Sequence, residues 1–325
     1  MQGQKKILVT GGAGYVGDCV IDHLVKDKLN KIYVVDKLLY SDEYTRSDVE
    51  FKRMDIISPE FLDFVKKEKF DAIINLAAIV GEQACDIIPF ETIKVNEVAV
   101  KDLCGAIKQV APHTRFIQAS TCSVYGSSEE LLNEESQTRP LGLYASTKLN
   151  AEKFVKELDN HVIFRLATLY GLSAPFGRFR TDLVVNVLVT RASEGQKLVV
   201  IGGQQWRPLT HVQDVGRIFG EAATSNYTGM YILGNENFKV IDIAKMVDEL
   251  VDASGGIEIM EANLNDLRYY RIDNAKSLQQ GITMRHTLKD GIESMKNFLK
   301  EGRIKNIWHK KYDNAKHIKE TLQYE

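Results

Sequence analysis

The chain has 325 residues, 44% of them hydrophobic and 26% charged, with a formal net charge of −2. That balance is ordinary for a soluble globular protein of one large or two modest domains, and it argues against nucleic acid or an anionic membrane surface as a partner. No apolar run is long enough to span a bilayer, and the opening Met-Gln-Gly-Gln-Lys-Lys has no signal-peptide shape. Four cysteines (Cys19, Cys85, Cys104, Cys122) lack C-x-x-C spacing and the seven histidines are scattered. The expectation is therefore reduced thiols, a cytoplasmic location and no metal.

In chain order, Lys6-Ile7-Leu8-Val9 reads as a buried strand, and Thr-Gly-Gly-Ala-Gly-Tyr-Val-Gly at 10–17 follows it directly. A helical pattern over 15–26 comes next. A strand, a glycine turn and a helix N-terminus make a pyrophosphate site, because bare backbone approaches the anion and the first helical N–H groups point at it. Asp36 ends a second apolar run about twenty residues on, where a dinucleotide fold places the carboxylate that accepts the adenosine ribose hydroxyls. A carboxylate there repels a 2′-phosphate, which favours NAD over NADP; Lys37 weakens that preference a little.

Strand-like and helix-like segments then alternate: strands near 49–53, 72–76, 115–120 and 162–166, and helices over 59–67, 89–110 and 143–158. Alternation of this kind predicts an α/β fold, a doubly wound parallel sheet of Rossmann type. After Gly171 the rhythm loosens, with helices expected over 181–194, 212–223, 241–251 and 288–299. The division is a dinucleotide-binding domain over 1–170 and a smaller substrate-binding lobe over 171–325, some segments of which return to the first domain. The lysine-rich stretch from Lys300, anchored by Ile307-Trp308, reads as a surface tail without chemistry.

Tyr144 and Lys148 stand four apart on a helix and share a face. A nearby cation stabilises phenolate, so Tyr144 is a candidate base at neutral pH. The spacing recurs at Tyr33/Lys37 and Tyr312/Lys316; what separates Tyr144 is its place after the fifth strand, whose end carries Ser120-Thr121-Cys122-Ser123. Ligands of open α/β sheets lie at such strand ends.

These motifs resemble those of the extended short-chain dehydrogenase/reductases, specifically the nucleotide-sugar epimerases and dehydratases. Further markers are Asp55, the Asn-Leu-Ala-Ala run at 75–78, Val95-Asn96, and the runs at 165–171, 207–214 and 266–268. The resemblance implies Thr121, Tyr144 and Lys148 as catalytic residues, with Lys148 on the nicotinamide ribose. It implies a cofactor site of Gly11, Gly14, Tyr15, Val16, Gly17, Asp36, Lys37, Asp55, Ile56, Leu76, Ala77, Ala78 and Asn96. Thr168, Asn186, Arg207 and Arg268 fall at substrate positions, the two arginines where the family clamps a diphosphate.

The family's 4,6-dehydratases carry Asp-Glu after the catalytic threonine; here Cys122-Ser123 stand there, which disfavours dehydration. Cys122 reads as a small buried residue, with a reactive thiol at the sugar as the alternative. The 165–171 run with Asp182 and Asn186 looks like a branch of bacterial sugar-nucleotide epimerases and GDP-heptose 4-dehydrogenases of surface-polysaccharide pathways. The resemblance thus implies an NAD-dependent C4 epimerase of a nucleotide-diphosphate sugar, with a 4-dehydrogenase or ketoreductase as the alternative. It also implies a homodimer through the helices at 89–110 and 143–158.

Overall fold

Residues 4–252, 254–261 and 269–322 are described by the computed structural model. Among them, seven strands form the central sheet in the order Gly229–Leu233, His161–Leu166, Arg115–Thr121, Ala72–Asn75, Lys5–Thr10, Asn30–Asp36, Glu50–Arg53. Every pairing is parallel. Parallel strands are covered on both faces and so read as continuous apolar runs; Ile7, Leu8 and Val9 are all fully buried. Leu8, Ile73, Phe116 and Ile163 face one core with the helices Pro59–Glu68, Ala99–Val110 and Leu143–Val155. Ile7, Val9, Ile74, Ile117 and Phe164 face the other, with Gly17–Leu24 and Val212–Ala222. The first strand pairs with both Asn30–Asp36 and Ala72–Asn75, so the chain order reverses there and opens a crevice at the strand C-termini.

The 89–110 segment is not a uniform helix. Pro89–Ile93 and Ala99–Val110 are α-helical, and Lys94–Val98 between them is a π turn. The bulge sets Asn96 against the Ile79 backbone, accepting from its N–H at 2.8 Å and donating to its carbonyl at 2.9 Å.

The second half builds a smaller lobe on a three-stranded sheet ordered Glu236–Lys239, Trp206–His211, Thr168–Tyr170. Helices Val184–Ser193, Val240–Val251 and Leu288–Lys300 pack beside it around Leu188, Val189, Ile243, Val247, Ile292 and Met295. Between these segments, Val212–Ala222 and Gly229–Leu233 return to the first half, as helix and edge strand.

The stretch from Lys300 is not the surface tail its composition suggests. Ile307 is buried in the second lobe and the Trp308 indole donates to Glu194 at 2.6 Å. Helix Asn314–Leu322 then packs on Glu82–Ile87 and buries Ile318 in the first half's core. Alternation of isolated apolar residues among lysines hides such an anchor, because each contact is made to a distant segment.

Candidate active site

A cavity of about 1300 Å³ runs along the crevice between the halves. Its nucleotide end is the glycine turn. Gly11 has φ +70°, and a Cβ there would lie 2.7 Å from the Ala77 nitrogen. A Cβ on Gly17 would strike the Gly11 carbonyl and lie 2.6 Å from Gly12 Cα. The backbone therefore turns more tightly than any side chain permits, and no side chain caps the helix that follows. Asp36 accepts from Ala13 N–H at 3.1 Å and Leu38 N–H at 2.8 Å, which aims its carboxylate across the turn. Burial pushes its carboxyl above the usual range, and those two N–H groups oppose the shift. Lys37 is tied to Asp55 at 3.2 Å. Gly11, Gly14, Tyr15, Val16, Gly17, Asp36, Lys37, Asp55, Ile56, Leu76, Ala77 and Ala78 all line the cavity. A bare-backbone turn, a fixed carboxylate beside it and an apolar wall opposite fit a dinucleotide.

The chemical end lies where Arg115–Thr121 stops. Thr121, Tyr144 and Lys148 all line the cavity. The Thr121 hydroxyl acts on the Tyr144 phenol against the rise that burial causes. Glu82 holds the start of the Tyr144 helix by accepting from the Tyr144 N–H at 3.1 Å. Lys148 does not dominate the phenol as spacing suggests. Burial raises Tyr144 above its ordinary value, Cys85 and Glu82 act the same way, and the opposing cation is Arg180. Burial also brings the Lys148 ammonium down to about 8, against Glu152 one turn further on.

Glu152 is fully buried. It accepts from Ser120 Oγ at 2.6 Å and from Arg165 at 2.9 and 2.7 Å, so the run at 165–171 begins with a structural ion pair beneath the site. Glu152→Gln leaves the Arg165 charge without its carboxylate. It is expected to cost about 3 kcal/mol of stability in urea unfolding. It also removes the negative charge that supports the Lys148 ammonium, so the basic limb of the pH–rate profile moves to lower pH.

The structure places several expected residues elsewhere. Asn96 does not reach the cavity; it braces the Ile79 backbone from behind. Asn186 is fully buried and away from the cavity, accepting from Gly171 N–H at 3.0 Å and donating to the Arg180 carbonyl at 3.0 Å. Its amide holds a loop together, joining Gly171 to Arg180. Arg207 is buried on Trp206–His211, donating to the Trp206 carbonyl at 3.0 Å, and does not line the cavity, whereas Thr168 does. Arg268 lies outside the described residues. Cys122 is fully buried with its thiol donating to the Arg165 carbonyl at 3.4 Å, and burial pushes that thiol up. It packs with Val124, Tyr125 and Ile232, so the thiol does not face the cavity; Ser123 does. Sequence reasoning missed Tyr40, Arg178 and Arg180, which also line it. The Arg-Phe-Arg pattern at 178–180 was the available signal, hidden in an irregular loop.

The family model for the NAD dependent epimerase/dehydratase family matches residues 7–234. The chain belongs to that family. As a member it is an NAD-dependent enzyme, one of the extended short-chain dehydrogenase/reductases that act on nucleotide sugars. Among curated relatives, UDP-glucuronic acid decarboxylase 1 of Xenopus tropicalis is 26% identical over 290 residues, covering 84% of this chain and 67% of that protein. Among solved structures, UDP-glucuronic acid 4-epimerase from Bacillus cereus, in complex with UDP-glucuronic acid and NAD, superposes with a TM-score of 0.77 at 25% identity, covering 91% of this chain and 99% of that one. UDP-glucose 4-epimerase from Thermus thermophilus has the same fold, with a TM-score of 0.80 at 22% identity over 92% of this chain and 100% of that one. No helix of the described residues is long and apolar enough to cross a membrane.

Proposed function

We propose that the enzyme inverts C4 of a nucleotide-diphosphate sugar through a 4-keto intermediate. The observation that carries this reading is the convergence of Thr121, Tyr144 and Lys148 on the cavity at the strand end, beside residues at 122–123 that supply no acid. Oxidation of a carbinol needs a base at the hydroxyl and a hydride acceptor, whereas dehydration also needs a second acid–base pair. NAD bound in the cleft supplies the hydride acceptor and donor. Thr121 orients the 4-hydroxyl, and Tyr144 takes its proton as phenolate and returns it as phenol. Arg180 provides the positive field that favours a buried phenolate, and Lys148 lines the same cavity one turn along the helix. Thr168 lines the cavity as a substrate contact.

UDP-glucuronic acid, named for both a relative and a structural neighbour, is the first sugar to test. The branch resemblance supports a role in surface-polysaccharide sugar synthesis. Phe90 on the 89–110 segment is 78% exposed, with Ile93 and Val98 also exposed, which supports the homodimer. The experiment is to incubate purified protein and NAD with UDP-, GDP- and dTDP-sugars and resolve C4 epimers by NMR. Formation of a C4 epimer supports the reading; a sugar released only as a keto or decarboxylated product overturns it.

A further inference from the structure

Loop 173–182 crosses the glycine turn. The Ser173 hydroxyl donates to the Tyr15 carbonyl at 2.7 Å, and Phe176 N–H to Asp18 at 2.9 Å. Two arginines of this loop, Arg178 and Arg180, line the cavity, and only Arg180 has a carboxylate partner among the described residues. Arg180 takes Asp182 in a two-pronged pair at 2.9 and 2.7 Å. Arg178 has no carboxylate within ion-pairing distance among the described residues. Its guanidinium donates instead to the Lys311 carbonyl at 2.5 Å and to the Asn314 side-chain oxygen, and lies 4.1 Å from the centre of the Tyr40 ring. Burial and the neighbouring Arg180 bring it down to about 10, well below a guanidinium's ordinary value. A cation held this way, without a counter-charge, is costly unless an anion completes it. Beside it the Tyr40 hydroxyl is buried without a hydrogen-bond partner among the described residues.

We propose that Arg178 is a diphosphate-binding residue for the dinucleotide, set in place by the C-terminal segment through Lys311 and Asn314. Its position selects the cofactor's diphosphate over the sugar nucleotide's. Arg178 acts on Asp36, Arg180 lies over the Tyr15 ring, and Tyr40 follows the second strand, so the pair faces the glycine turn. A planar fork suits two phosphate oxygens, and Tyr40 adds a hydroxyl donor. The C-terminal segment thereby becomes part of cofactor retention. Thr181 N–H donates to the Tyr312 carbonyl at 2.8 Å, and Asn314 donates to the Val80 carbonyl at 3.1 Å, fastening the loop to the opposite wall of the cleft. The inference rests on the family's cofactor and not on the carbon at which the sugar reacts.

The test is calorimetric titration of the full chain with ADP, adenosine and UDP. Arg178→Gln is expected to weaken ADP by about tenfold or more and to leave adenosine and UDP unchanged. The loss should shrink as salt screens the lost charge. Arg178→Lys recovers part of the ADP affinity, and Asn314→Ala, which keeps the arginine but frees it, weakens ADP severalfold. Equal ADP affinity in Arg178→Gln, or a loss that falls on adenosine or UDP instead, overturns the proposal. If Arg178→Gln does not fold, unchanged ADP binding in Asn314→Ala overturns it. All three probes bind without turnover, so a failure here is distinct from a failure of the C4 reading.

Discussion

Tyr144→Phe is expected to lower kcat about a thousandfold while NAD affinity stays within about twofold of the parent. The phenol lines the cavity at the chemical end together with Thr121 and Lys148, and phenylalanine keeps the ring while removing the hydroxyl. Burial holds this phenol in its protonated form, so its work as a base depends on cations brought to it. Rapid-quench turnover with NAD titrations read by fluorescence separates the two effects. A variant that retains turnover removes Tyr144 from the mechanism; one that loses NAD binding equally makes the residue a cofactor contact.

Gly17→Ala is expected to weaken NAD at least a hundredfold and to lower stability by about 2 kcal/mol. The added methyl meets the Gly11 carbonyl and Gly12 Cα, which are backbone atoms with no rotamer by which to yield. The turn must open, and its N–H groups then no longer converge on the diphosphate. Calorimetry gives the affinity and thermal unfolding the stability. Gly105→Ala is the control, because a Cβ there meets nothing within 4 Å. Equal NAD affinity in Gly17→Ala would mean that the turn does not hold the cofactor.

Much of this site is legible in the chain because it is local. The glycine turn, Asp36, and the Tyr144/Lys148 pair each follow from spacing along one strand or helix, and the alternation of apolar runs gives the parallel sheet. Asn96 and Asn186 carry family motifs yet serve the backbone, at Ile79 and at Gly171, since a motif keeps a residue type without saying which atoms it meets. The helical period over 89–110 gives no sign of the π turn at Lys94–Val98, because one extra residue per turn barely disturbs an apolar pattern. Arg178 and its support are illegible for a different reason. Arg178 and Asn314 are 136 positions apart, and only packing of helix Asn314–Leu322 on Glu82–Ile87 brings them together. Composition hides that helix, whose anchoring residue Ile318 stands among polar neighbours.

The stacked rings of His211 and His286, 4.3 Å apart, lie beneath the second lobe with Asp214 beside them. Burial and the adjacent His286 bring His211 down to about 4, so this ring is neutral across the physiological range. It caps the returning helix Val212–Ala222 by accepting from Gln213 N–H at 3.3 Å, a structural duty that needs the neutral form.

The most direct measurement of the central claim follows a deuterium placed on C4 of the nucleotide sugar. The sugar is turned over with catalytic amounts of protein and NAD, and the product is read by NMR and by absorbance at the reduced-nicotinamide band. The account predicts a C4 epimer that keeps its deuterium, with no reduced nicotinamide accumulating, because the hydride leaves and returns at one carbon. A keto product with stoichiometric reduced nicotinamide, or an epimer whose deuterium has exchanged with solvent, would contradict it.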